Sequence, residues 1–161
     1  MTQAHFVKKA RKDVNDEIKK GDSYWWWTFR CGGKYIKYVS KTPPKRQQLT
    51  QSEFTKNVYG IEDDLDSIKS ADDIESGIES AVCAIEDLVS ECQDRLDSMP
   101  EQLQESSSSG QLLQERIDSL QDWMDTLQSV DTEIDESLSN EEKDNRVQEI
   151  IEEIQSAMPG F

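Results

Sequence analysis

Residues 78–103 read IESAVCAIEDLVSECQDRLDSMPEQL. Within them Ile78, Val82, Ile85, Val89, Cys92, Leu96, Met99 and Leu103 alternate spacings of four and three. That alternation lays one narrow apolar stripe along an α-helix, the seam of a coiled coil. The residues between are mostly Asp, Glu, Ser and Gln, as on a solvated face. Upstream, Ile61, Leu65 and Ile68 follow the same spacing. The register slips by about three residues near Gly77, a slip that overwinds a coiled coil locally. Thr50-Gln51-Ser52-Glu53 is a capping-box pattern just after Pro43-Pro44. These signals predict one helix over about 51–99, about 70 Å long at 1.5 Å per residue.

Pro100 ends or kinks that helix, and Glu105-Ser106-Ser107-Ser108-Ser109-Gly110 reads as a flexible loop. A second helix is predicted over about 111–138, with the seam Leu113, Ile117, Leu120, Met124 and Leu127, a polar break at Asp131, then Ile134 and Leu138. Ser139-Asn140-Glu141-Glu142 is a second capping box and opens a helix over about 140–157. Its apolar side is Val147, Ile150, Ile151, Ile154 and Met158, and Pro159-Gly160 stops it. Single-seam helices are marginal in water without a partner. The expectation is a mainly α fold, a long antiparallel helical hairpin or coiled coil, with the second and third helices folded back along the first. Homodimerisation through the same narrow seam is the alternative.

The start of the chain has another character. Ser23–Arg30 reads SYWWWTFR and Tyr35–Val39 reads YIKYV, both suited to pleated strands. Cys31-Gly32-Gly33-Lys34 between them supplies a tight turn. The reading is a small N-terminal β-hairpin, followed by an extended basic exit at Ser40–Arg46 that Pro43 and Pro44 keep out of any ladder. Tyr24, Trp26 and Thr28 share one face of the first strand; Trp25, Trp27 and Phe29 share the other. The aromatics serve either as a miniature core or as a contact surface.

Charge divides along the same line. Residues 1–56 carry 13 Lys+Arg against 5 Asp+Glu, a net of +8, and residues 57–161 carry 5 against 29, a net of −24. The organisation expected is a basic aromatic segment over 1–49 and an acidic helical domain over 50–161. Leu, Ile, Val and Phe total 34 of 161 residues, so a large conventional core is not expected and narrow seams are.

The chemistry of an enzyme is not evident. An active site needs a positioned nucleophile, base or metal. His5 has no nucleophile near it in sequence, and Gly32-Gly33 lacks the spaced pattern of a phosphate loop. Cys31, Cys83 and Cys92 are odd in number, and a nine-residue separation puts the last two on opposite faces of a helix; they read as reduced thiols. Asp63, Asp64, Asp66, Asp72 and Asp73 lack the glycine-centred loop of a calcium site. No catalytic residue, cofactor or metal is expected. No apolar run is long enough to span a membrane, and residues 1–20 lack a signal peptide's apolar core, so a cytoplasmic protein is expected.

Tyr24–Gly33, Ser40–Arg46, Leu49–Phe54, Met99–Gln104 and Gly110–Arg116 resemble a family of small bacteriophage proteins. The resemblance brings no activity or cofactor; it implies a protein working in the cytoplasm of an infected bacterium. The β-element has a looser similarity to the sheet arms of phage integrases, in which a basic three-stranded sheet enters a DNA groove. Only two strands are evident here, and no integrase catalytic domain follows.

Three functions fit. The first is a non-enzymatic inhibitor of a host nuclease or defence complex, of anti-CRISPR or anti-restriction type. In it the carboxylates Glu62, Asp63, Asp64, Asp66, Asp72, Asp73, Glu75 and Glu79 imitate a phosphate backbone. The second is a nucleic-acid-binding protein. Lys8, Lys9, Arg11, Lys12, Arg30, Lys34, Lys37, Lys41, Lys45 and Arg46 would meet phosphates, and Tyr24, Trp25 and Trp27 would stack on bases. The third is an assembly helper with a coiled-coil spacer.

Overall fold

The computed structural model describes residues 2–135, 137 and 139–159. Leu138 of the expected second seam and Gly160 of the expected stop lie outside the described residues. The fold is mainly helical with a small antiparallel sheet at the N-terminus. Contacts divide the chain into two compact units, 1–59 and 60–161. The sequence reading put the division at 49/50. The difference arises because Phe54, Val58 and Tyr59 are buried and belong to the first unit.

In the first unit, β1 (His5–Val7), β2 (Tyr24–Cys31) and β3 (Lys34–Ser40) form a sheet in the order β1-β2-β3, both pairs antiparallel. The expected hairpin is β2–β3, and β1 adds a third strand, with His5 opposite Trp26 and Val7 opposite Tyr24. Three residues are too short for the alternation rule to register. Gly32 and Gly33 both have positive φ, 55° and 81°, as a two-residue hairpin turn matched to the twist of its strands requires. Residues 8–22 form a loop clamped to itself. Ala10 N–H donates to the Asp22 carbonyl at 2.7 Å and Gly21 N–H to the Ala10 carbonyl at 2.9 Å. Ile18 is buried, and its N–H donates to the Asn15 side chain at 2.7 Å.

The expected Thr50–Glu53 capping box does not form, and the helix is capped two residues later by a single side chain. Helix α1 (Glu53–Asp66) is capped by Ser52, whose hydroxyl accepts from Thr55 N–H at 3.3 Å. Thr50 instead accepts from Ser52 N–H. The helix expected over about 51–99 is two: α1, and α2 (Ala71–Asp97). The register slip marks a break at Ser67–Ser70, not an overwound coil. Ile68 turns inward and fills the space beside Gly77, where a Cβ would stand 2.5 Å from its Cδ1.

In the second unit α2 buries Ile74, Ile78, Ala81, Ile85, Leu88, Cys92 and Leu96. Val82 and Val89, expected in the seam, are only half-buried. The adjacent apolar pairs Ala81-Val82 and Leu88-Val89 leave the choice of stripe to the partner helix. The expected continuation through Met99 to Leu103 does not occur. Pro100 stops the helix, and Leu103 lies exposed in the short α3 (Glu101–Ser106). The Ser-rich stretch is not a flexible loop: α4 (Ser108–Ser129) begins there, capped by Ser107, whose hydroxyl accepts from Gly110 N–H at 3.0 Å. Helix α4 buries Ile117, Leu120, Trp123 and Leu127. Trp123 was missing from the expected seam, and Asp131 lies beyond the helix rather than inside it.

α2 and α4 pack against each other. Their 27 and 22 residues span about 40 and about 33 Å. The connection between them, mostly the single turn and a half of α3, cannot return to the far end of α2, so the pair is antiparallel. The electrostatics agree. Burial pushes the Cys92 thiol up, and Arg116, near the start of α4, opposes that shift at the end of α2. Helix α5 (Asn140–Ser156) opens with the expected capping box, Ser139 and Glu142 each accepting from the other's backbone N–H, and buries Ile150 and Ile154.

Candidate binding faces

Strand pairing sorts the aromatic residues. Directly opposed residues of an antiparallel pair project to the same side. His5, Trp26 and Val39 therefore share one face with Tyr24, Thr28, Lys37, Arg30 and Tyr35. Phe6, Trp25, Trp27, Phe29, Ile36 and Tyr38 share the other.

The second face is buried at Trp27 and open at its edges, where Phe6, Ile36 and Tyr38 are exposed. Trp27 is 4% exposed, lies 5.9 Å from the Tyr38 ring, and helps line a cleft of about 370 Å3 with Phe29, Gln47, Gln48, Thr50, Gln51 and Lys56. Trp25 packs on Phe6, ring centres 5.0 Å apart. Trp25 and Trp27, candidates for base stacking, thus lie on the opposite face of the sheet from Tyr24. Trp27 is core.

The first face is cationic. The Lys37 ammonium sits 4.7 Å from the centre of the Trp26 ring and 6.0 Å from that of Tyr24. Such cation–π contacts hold a lysine head in place. His5 stacks on Trp26 at 4.5 Å. Beside them Val7, Lys9, Arg11, Lys12, Asp13, Val14, Tyr24 and Lys37 line a groove of about 440 Å3. Its one carboxylate, Asp13, accepts from Lys20 N–H at 2.7 Å. Of the candidate residues, the fold therefore brings together Lys9, Arg11, Lys12, Tyr24 and Lys37. Trp26 and His5 were not singled out. Both are half of a cross-strand pair, and the signal needed was the pairing of β1, which three residues do not show.

The other candidate cations are dispersed. Lys41 pairs with Asp22 at 3.5 Å. The Lys19 N–H, then Lys41, hold the Asp22 carboxyl below the usual range. Lys45 precedes the 3-10 turn Arg46–Leu49, its N–H donating to the Gln48 side chain. Arg46 lies over the Tyr59 ring at 4.3 Å. Lys8, Arg30 and Lys34 are exposed, the last two at the hairpin end.

The chain matches no protein-family model, no curated protein and no solved structure. What it can do chemically is read from its own surface.

On the acidic unit, the break in the helix divides the expected carboxylate face. Asp64 and Asp66 are exposed on α1, and Asp72, Asp73, Glu75 and Glu79 on α2. Asp63 is half-buried, and Glu62 is 2% exposed, so it is not on a contact face. The exposed acidic face runs further than expected, through Glu86, Asp87, Glu91, Asp94 and Asp97. Arg95 is the sole Lys or Arg of α2 and is ion-paired with Glu91. Among the described residues no group of three or more His, Cys, Asp or Glu side chains is placed to hold a metal ion. No helix of the described residues is long and apolar enough to cross a membrane.

Proposed function

We propose that the chain is a non-enzymatic interaction protein whose acidic helical unit occupies the cationic nucleic-acid-binding surface of a partner protein. The observation that carries this reading is the exposed face of α2. Nine exposed carboxylates lie along 27 residues, about one per 4.5 Å of helix axis. One strand of duplex DNA presents a phosphate about every 3.4 Å. A surface built to neutralise phosphates meets a comparable charge density on α2, held on a rigid rod by the packing of α4.

The coincidence of charge with architecture supports the same reading. Residues 1–59 carry a net of +8 and residues 60–161 a net of −24, so the contact boundary is also the charge boundary. Surplus charge of this size destabilises a compact unit by self-repulsion, and a binding role gives it a purpose. The resemblance to small bacteriophage proteins fits a partner among host nucleases or defence complexes, with inhibition as the consequence of occupying the channel.

The test is capture of bacterial lysate proteins on the immobilised full chain at about 50 mM and about 200 mM salt. It is repeated with the variant Glu75→Gln/Glu79→Gln/Glu86→Gln/Asp87→Asn. The reading requires a nuclease or other nucleic-acid-binding protein that is retained at low salt, weakened at high salt and lost in the variant. A partner held equally by the neutralised helix would show that α2 is a scaffold only.

A further inference from the structure

We infer that the groove on the sheet of the first unit is a second binding site, for the sugar-phosphate backbone of a single-stranded nucleic acid. This site is distinct from the acidic helices and takes a ligand of opposite charge. Four cations converge on it, Lys9, Arg11, Lys12 and Lys37, against one carboxylate, Asp13. Among the described residues no ion pair engages Lys9, Arg11 or Lys12. Asp13 accepts from the uncharged Lys20 N–H and keeps its charge, and the surplus of cations over this one carboxylate is left to an incoming anion.

The site is also built rather than incidental. Lys9, Arg11 and Lys12 flank Ala10, which is buried and tied at both its N–H and its carbonyl to the Gly21-Asp22 turn. Their backbone is fixed before any ligand arrives, which reduces the ordering cost of binding. Lys37 is held over Trp26 and Tyr24. A groove of about 440 Å3 accommodates a stretch of backbone, not a duplex. Tyr24 on its wall is the more open ring for a base: His5 stacks on Trp26 at 4.5 Å and Lys37 sits 4.7 Å from it, against 6.0 Å from Tyr24. Aromatic rings beside a cationic track are how sequence-tolerant single-strand binding works.

The experiment is fluorescence anisotropy of the full chain with a labelled oligo-dT strand of about 16 nucleotides, from about 50 to about 200 mM salt. Four cations predict a log–log salt slope of about −3 for a single strand. The variant Lys9→Gln/Arg11→Gln/Lys12→Gln should flatten that slope to about −0.7, and Tyr24→Ala should weaken binding about tenfold with the slope unchanged. Far-UV circular dichroism confirms that each variant is folded. The acidic-helix variant above should bind the strand at least as well as the unaltered chain, which separates this site from the proposed function. Three results would overturn the assignment: no binding by a folded chain, a slope unmoved by the triple variant, or equal affinity for inorganic polyphosphate that Tyr24→Ala leaves unchanged.

Discussion

Replacing Gly110 by alanine sets two effects of opposite sign against each other. Gly110 lies in the first turn of α4, where alanine gains about 1 kcal/mol of helix propensity. A surface argument would therefore predict stabilisation. The local geometry reverses it. A Cβ at 110 would stand 2.0 Å from the Gln104 carbonyl oxygen and 2.7 Å from that of Leu103, where carbon contacts normally lie near 3.5 Å. Both obstacles are backbone atoms, so no rotamer change relieves them. Relief requires α3 to move off α4 by more than about 1 Å, at the overpacking cost of about 1–3 kcal/mol or more. The Ser107 hydroxyl that accepts from Gly110 N–H is displaced with it, at about 1 kcal/mol for a lost cap. The net expectation is destabilisation by about 2 kcal/mol. In urea unfolding followed by far-UV circular dichroism, with a slope near 2 kcal/mol/M, the midpoint falls by about 1 M. An unchanged or raised midpoint would refute the seating of α3 against α4. Gly77 is the contrast. Its obstacle is the tip of the Ile68 side chain, so Gly77→Ala should cost less, and in an Ile68→Val background it should be neutral or stabilising.

Other expectations follow from the same packing. Leu120→Ala, at a fully buried position of α4, should cost about 2–5 kcal/mol in the same assay; a cost under 1 kcal/mol would mean that the α2–α4 contact is not as described. Thiol labelling of the folded chain should show Cys31 and Cys83 reacting promptly and Cys92 only on unfolding, because burial keeps the last protonated and shielded; three equally fast thiols would contradict this. The Ser139 hydroxyl, then its backbone N–H, hold the Glu142 carboxyl below the usual range. A depressed carboxylate contributes stability above its unfolded pKa and loses it as pH falls through the folded value. Glu142 should therefore titrate below the usual glutamate range in an NMR titration; a midpoint inside that range would remove the capping contribution.

The helical part was legible where spacing and chemistry agree. Ile78, Ile85, Cys92 and Leu96 lie on the seam that the four–three spacing picks out, and the Ser139–Glu142 box opens α5. Reading failed where local sequence permits two answers. Ala81-Val82 and Leu88-Val89 suit either stripe, and the face of α4 decides between them. The four–three spacing takes Met124 into the α4 seam, whereas the buried residue is its neighbour Trp123. The break at Ser67–Ser70 was visible as a register slip, but a slip has two physical outcomes, overwinding and interruption. Serines 106–109 read as a loop because their propensity is weak. Ser107 caps α4, a use of the same side chains that composition does not distinguish. At the candidate sites, the cations were legible by composition, but their convergence was not. The clamp at Ala10 gathers Lys9, Arg11 and Lys12 beside Lys37, and the strand register sends Trp27 inward and leaves Trp26 with Lys37.

In the proposed function the acidic face of α2 takes the place of nucleic acid on a partner. The most direct measurement of this is elution of the captured partner from the immobilised full chain by duplex DNA at fixed ionic strength. Mimicry requires mutual exclusion: the partner leaves the column bound to DNA, in proportion to the DNA added. A ternary complex, with DNA retained on the column through the partner, would contradict it.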